Sequence, residues 1–119
     1  MVELKSETVS DELLSMALKA LSDTTRRHLL TQLVQNGPMR VTDLAAAYSM
    51  SLNGISKHIK VLEQAQLITR RQLGRVHWIE ANLQPVNQIQ QWLDTMKSVW
   101  AMRLDKLETL LTSGDNDHE

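Results

Sequence analysis

The chain has 119 residues, of which 42% are hydrophobic, and a formal net charge of −1, which bounds it to one modest globular domain that gains stability by pairing with a second copy. It contains no cysteine, so disulfide frameworks, thiolate metal sites and thiol redox switches are excluded by composition. No apolar run approaches the roughly 20 residues that span a bilayer, and Met1-Val2-Glu3-Leu4-Lys5-Ser6-Glu7 lacks the apolar stretch of a secretion signal; a membrane partner is not expected, and a cytoplasmic location is.

The near-neutral total conceals a segregation of charge. Between residues 26 and 75 stand Arg26, Arg27, Arg40, Lys57, Lys60, Arg70, Arg71 and Arg75 against only Asp43 and Glu63, while both flanks are acidic. Charge attracts a polyanion locally, so a basic middle between acidic ends points to nucleic acid met by one face.

In chain order, residues 1–9 carry no periodic apolar pattern and are expected to be flexible, followed by a folded domain over 10–112. Ser10 with Asp11 and Glu12 opens a first helix, its acids set against the positive end of the helix dipole. Leu13, Leu14, Ala17, Leu18 and Leu21 form its apolar stripe. Asp23 caps a second helix, in which Leu29, Leu30, Leu33 and Val34 are the expected buried stripe and Asn36-Gly37-Pro38 the stop. Arg26 and Arg27, in its first turn, either pair with an acid such as Asp23 or stay solvated, with phosphate contact the alternative. Met39-Arg40-Val41 is long enough only for a bridge or small strand. Thr42 is the expected cap of a short helix from Asp43 to Tyr48, with Leu44, Ala45 and Tyr48 inward and the small residues Ala45, Ala46 and Ala47 allowing close backbone approach at the turn that follows.

The stretch from Ser49 to Glu63 organises the rest. Ile55, Ile59 and Leu62 recur at i, i+4 and i+7, which places them on one side of a helix facing a core. The other side carries Asn53, Gly54, Ser56, Lys57 and Lys60, a set of short hydrogen-bonders and lysines suited to base edges and phosphates. Ser51 is placed to cap the helix and leaves other N-terminal N–H groups free for a phosphate oxygen. Helix, tight turn (Tyr48-Ser49-Met50-Ser51) and helix make a helix-turn-helix unit. Two β-prone segments then flank Gly74: Leu67-Ile68-Thr69-Arg70-Arg71 and Val76-His77-Trp78-Ile79-Glu80. They predict a hairpin, a wing whose Arg70, Arg71 and Arg75 can lie along a duplex backbone or in the adjacent minor groove.

Pro85 sits at the first turn of a long helix from about Val86 to Leu111. Its stripe, which includes Trp92, Met96, Val99, Trp100, Leu104 and Leu107, is wider than one small domain can cover, so part of it is expected to meet another chain. A ligand box around Trp92, Met96 and Trp100 is the less favoured alternative. Residues 113–119 read as a polar, disordered tail. Of the four histidines, His58 lies beside Ile55, Ile59 and Leu62 and is expected to pack at the edge of that core; His28, His77 and His118 share no ligand spacing, and no metal site or cofactor is expected. No nucleophile, base and orienting acid cluster, so an enzyme is not expected.

The order of these pieces resembles the ArsR family of bacterial winged-helix repressors. The resemblance is carried by Leu21-Ser22-Asp23-Thr24-Thr25-Arg26-Arg27, Val41-Thr42-Asp43-Leu44-Ala45, Ile55-Ser56-Lys57-His58-Ile59-Lys60-Val61-Leu62 and Gly74-Arg75, and it extends over residues 13–111. It implies a mainly α fold with a small β-hairpin, five helices plus a wing. It also implies a homodimer joined through first and last helices, which adds Leu14 and Leu18 to the interface set, and repression by covering a palindromic operator in double-stranded DNA. On this pattern Ser51, Asn53, Gly54, Ser56 and Lys57 face the major groove, while Lys60, Arg70, Arg71 and Arg75 meet the backbone. The chain departs from the family's metal-sensing branches, having neither the cysteine motif before the recognition helix nor histidine ligands on the last helix, where Asp94, Asp105 and Glu108 stand. It is similar to the subgroup without those ligand sites, so the small-molecule inducer, if there is one, stays open. Gln66 occupies a position where the family commonly has glycine. The alternatives are a MarR-like regulator with a small apolar ligand near Trp92 and Trp100, and a winged-helix module that docks on protein through Trp100 and Leu104.

Overall fold

The computed structural model describes residues 2–117. Among the described residues, five helices and three strands follow in the order α1 (Val2–Leu21), α2 (Thr24–Asn36), β1 (Met39–Arg40), α3 (Val41–Ala47), α4 (Leu52–Gln64), β2 (Ile68–Leu73), β3 (Val76–Ala81) and α5 (Gln84–Asp117). The chain divides into two compact units between Gln88 and Ile89.

In the first unit one core is shared by α1 to α4 and the sheet. Leu29, Leu44, Ile55, Ile59, Leu62, Leu67 and Ile79 are its largest fully enclosed side chains, each stabilising the fold by about 1.5–3 kcal/mol through the apolar area removed from water. The three strands pair antiparallel in the order β1-β3-β2, with Met39 opposite Ile79 and Ile68 opposite Ala81. The short Met39–Arg40 segment therefore becomes the third strand of the wing sheet, through β3. Gly74 and Arg75 are the two residues between paired Leu73 and Val76, and Gly74 has φ 64°, the positive value a type II′ hairpin needs at its first turn position.

Helix ends explain several sequence features. Asp23 caps α2, its Oδ2 accepting from the Arg26 N–H at 3.0 Å, and this bond holds the carboxyl below its usual 3.8. Arg26 and Arg27 turn back onto α1: Arg26 Nε donates to Ala20 O at 2.7 Å and Arg27 Nη1 to Leu21 O at 2.7 Å, while Ser22 Oγ donates to Lys19 O at 2.6 Å. Carbonyls that a helix C-terminus leaves without partners are satisfied in this way. Arg26 is thus half-buried and Arg27 exposed, as a solvated arginine would be; neither forms a salt bridge with Asp23, and both tie α1 to α2 through backbone carbonyls.

The exits of α3 and α4 share one geometry. Met50 N donates to Ala45 O at 3.1 Å and Ser49 N to Ala46 O at 3.3 Å; Leu67 N donates to Leu62 O at 2.9 Å and Gln66 N to Glu63 O at 3.0 Å. Each is a Schellman motif, which puts one residue in the left-handed region, here Ser49 at φ 52° and Gln66 at φ 62°. Gln66 holds the conformation that glycine adopts without strain, so the local helix end survives the substitution at a conformational cost.

Other expectations need correction. Helix α1 begins at Val2 rather than at Ser10, and α5 continues to Asp117 rather than ending at Leu111. Met1 and His118-Glu119 lie outside the described residues. Thr42 is not the cap of α3: the helix starts at Val41 with Arg40 at the cap position and no side-chain cap bond. Arg40 instead grips Asp43 across the first turn, with Nε and Nη2 at 3.0 and 3.1 Å from its two carboxylate oxygens. Val34 is 50% exposed, because Leu29, Leu30 and Leu33 already fill the inward side of α2. Of the three alanines on α3 only Ala45 is buried.

Candidate nucleic-acid interface

Helix α4 is amphipathic in a way that fixes its orientation. Ile55, Ile59 and Leu62 are buried, whereas Asn53, Ser56, Lys57, Lys60 and Gln64 are exposed. Asn53, Lys57, Lys60 and Gln64 follow at i, i+4, i+7 and i+11 and so share a face, the one opposite the apolar stripe. Ser51 caps the helix, its Oγ accepting from the Gly54 N–H at 3.1 Å. Gly54 has a reason to be glycine within this chain: a Cβ there would come 3.2 Å from Ser51 Oγ and 3.3 Å from Met50 Cε, so the cap and the tucked methionine occupy the room a side chain would take.

The cations expected to meet DNA fall into two sets. Among the described residues no carboxylate lies within ion-pair distance of the exposed Lys57, Lys60 or Arg75. Arg70 and Arg71 are engaged: Arg70 Nε lies 3.4 Å from Glu63 Oε2, tying the root of the wing to α4, and Arg71 Nε lies 2.9 Å from Glu80 Oε1 across the hairpin. Thr69 Oγ1 donates to that same Glu80 oxygen at 3.2 Å. Alternation along β2 puts Arg70 on the face of Ile68 and Ile79 and Arg71 on the face of Trp78 and Glu80, so the two arginines leave the wing in opposite directions. The four intrachain anchors of Arg26, Arg27, Arg70 and Arg71 are absent from any pattern in the sequence, since they join residues on different elements.

His58 is partly buried at the edge of the core, with Nδ1 3.9 Å from Asp23 Oδ2. Among the described residues no three His, Asp or Glu side chains gather as metal ligands would, and no helix is long and apolar enough to cross a membrane.

Helix α5 presents the other expected surface. Trp92, Met96, Val99, Trp100, Leu104 and Leu107 are all exposed, Trp100 at 65% and Leu107 at 53%. On α1, Leu14 is half-buried and Leu18 exposed.

Residues 21–71, the span from the end of α1 into the wing, match the family model described as a helix-turn-helix domain. The transcriptional repressor SdpR of Bacillus subtilis is 32% identical over 75 residues, 63% of this chain and 82% of that protein. The arsenical resistance operon repressor of the same organism is 32% identical over 87 residues, 73% of this chain and 81% of its own length. Among solved structures, an ArsR family transcriptional regulator superposes with a TM-score of 0.71 at 33% identity, over 76% of this chain and 93% of that one. An ArsR-like transcriptional regulator from Rhodococcus sp. RHA1 superposes at 0.75 with 26% identity, over 83% and 92%. With the helix-turn-helix, the wing and these relatives in agreement, the chain belongs to the ArsR family of winged helix-turn-helix transcriptional regulators.

Proposed function

We propose that this regulator is a homodimeric, cytoplasmic repressor that covers a palindromic operator in double-stranded DNA. The observation that carries the proposal is the outward face of α4, where exposed hydrogen-bonders and lysines without intrachain carboxylate partners are held rigid by a fully buried opposite face. Ser51, Asn53, Gly54, Ser56 and Lys57 approach base edges in the major groove, Asn53 being suited to adenine and Lys57 to guanine or phosphate. Lys60 and Arg75 meet the phosphate backbone. Arg70 and Arg71 are exposed and face Glu63 and Glu80 through Nε, so they hold the wing while their remaining guanidinium N–H groups are free to meet phosphates. Repression is supported by the repressor relatives, which favour DNA binding over the MarR-like and protein-docking alternatives.

Pairing is supported by the α5 stripe. A run of exposed apolar residues of this kind along one helix marks an interface, and the half-buried Leu14 and exposed Leu18 of α1 are a second, separate candidate. A solved winged helix-turn-helix domain of the same fold, 21% identical, is described as homodimeric.

The proposal is tested by selecting duplexes from random DNA with the purified protein and titrating the recovered sequence at several salt concentrations. Lys57→Ala is expected to weaken binding and to lower the slope of log K against log salt by about 1, with stability changed by less than about 0.5 kcal/mol. Unchanged affinity and slope would remove α4 from the interface.

A further inference from the structure

We infer that Leu52 is a specificity residue that reads the 5-methyl group of a thymine beside the base contacted by Asn53. The inference rests on the proposed docking of α4 in the major groove. Leu52 is the first residue of α4 and is 53% exposed. The apolar residues around it are accounted for: Met50 packs against the core, and Ile55 is fully buried within it. Leu52 does neither.

Its position is specific. Leu52 stands four residues before Ser56, so the two share one edge of the helix, and it is adjacent to Asn53 in the exposed first turn. Leu52 lies at the margin where the polar face gives way to the apolar stripe of Ile55 and Ile59, yet it is exposed and has no packing partner in its own subunit's core. The major-groove edge of DNA offers one apolar group, the thymine 5-methyl. The first turn of a recognition helix is the part that approaches base edges most closely. Asn53 paired to adenine N6 and N7 next to Leu52 against a methyl would select consecutive A·T pairs in each half-site.

Replacing thymine by uracil removes that methyl and leaves the Watson–Crick pairing intact. The selected duplex, substituted one thymine at a time, is titrated with the wild-type protein, with Leu52→Ala and with Lys57→Ala. One thymine per half-site is expected to show about fourfold weaker wild-type binding on conversion to uracil, the loss for a contact of methyl size. That penalty vanishes in Leu52→Ala, whose thermal melting is unchanged, and persists in Lys57→Ala, which weakens binding to every duplex alike. Uracil tolerated at every position, or a penalty that survives in Leu52→Ala, overturns the role of Leu52 while DNA binding stands. A selection that recovers no duplex overturns both.

Discussion

Helices α4 and α5 are both amphipathic, yet their apolar sides meet different fates. In α4, Ile55, Ile59 and Leu62 are enclosed by the chain's own core, so its polar face is held at a fixed angle. In α5, Trp92, Met96, Trp100 and Leu107 remain exposed. The first arrangement makes a rigid platform that a single subunit completes; the second leaves an exposed apolar surface, the one that the proposed dimer would bury. Periodicity alone cannot separate the two cases, because both stripes obey the same 3.6-residue rule. What separates them is the supply of partners: the first unit already brings Leu29, Leu44, Leu67 and Ile79 onto α4.

The contrast is broken most forcefully at Ile59. Ile59→Ala leaves a cavity in a core side chain's place and is expected to lower unfolding stability by about 2–5 kcal/mol in denaturant titration; a loss under 1 kcal/mol would mean that α4 is not clamped as described. On α5 the corresponding truncation acts on assembly. Trp100→Ala is expected to weaken self-association by about 2 kcal/mol, near 30-fold, by sedimentation at several concentrations. A drop in stability with no concentration dependence would place Trp100 in a subunit's own core instead.

A smaller effect sharpens the account of how α4 ends. Gln66→Gly removes a side chain from a left-handed position, φ 62°, and is expected to raise stability by about 0.5–1 kcal/mol once the extra freedom of the unfolded chain is counted. Destabilisation would show that the Gln66 side chain contributes more than its backbone conformation costs. The smallest effect belongs to Asp23. Its folded carboxyl titrates below its ordinary 3.8, chiefly through the Arg26 N–H. The stabilisation is therefore present above the unfolded value and lost as pH falls through the folded one. Asp23→Asn keeps an N-cap but cannot titrate, so it is expected to flatten the acid limb of stability against pH slightly; an unchanged limb would assign that limb to other carboxylates.

Where the sequence was legible, local rules sufficed. The Ser51 and Asp23 caps, the Gly37 stop at φ 79°, the wing turn at Gly74 and the Ile55-Ile59-Leu62 stripe each follow from residue type and spacing, and all are seen in the fold. The misses depend on tertiary placement. Val34 fits the stripe of α2 but stays half exposed, and the bonds of Arg26 and Arg27 to the carbonyls of α1 arise only once the end of that helix is brought beside them. Nor does spacing along the chain place Glu63 and Glu80 opposite Arg70 and Arg71. Leu52 passed unnoticed because one leucine at a helix start is ordinary in sequence, and its meaning comes from exposure.

The central claim is that paired subunits present two α4 faces to one duplex. Sedimentation of the protein with its selected duplex measures this directly. A complex of two chains on one duplex, formed at low salt and lost as salt rises, is the predicted result; one chain per duplex, or no complex at any ionic strength, would contradict it.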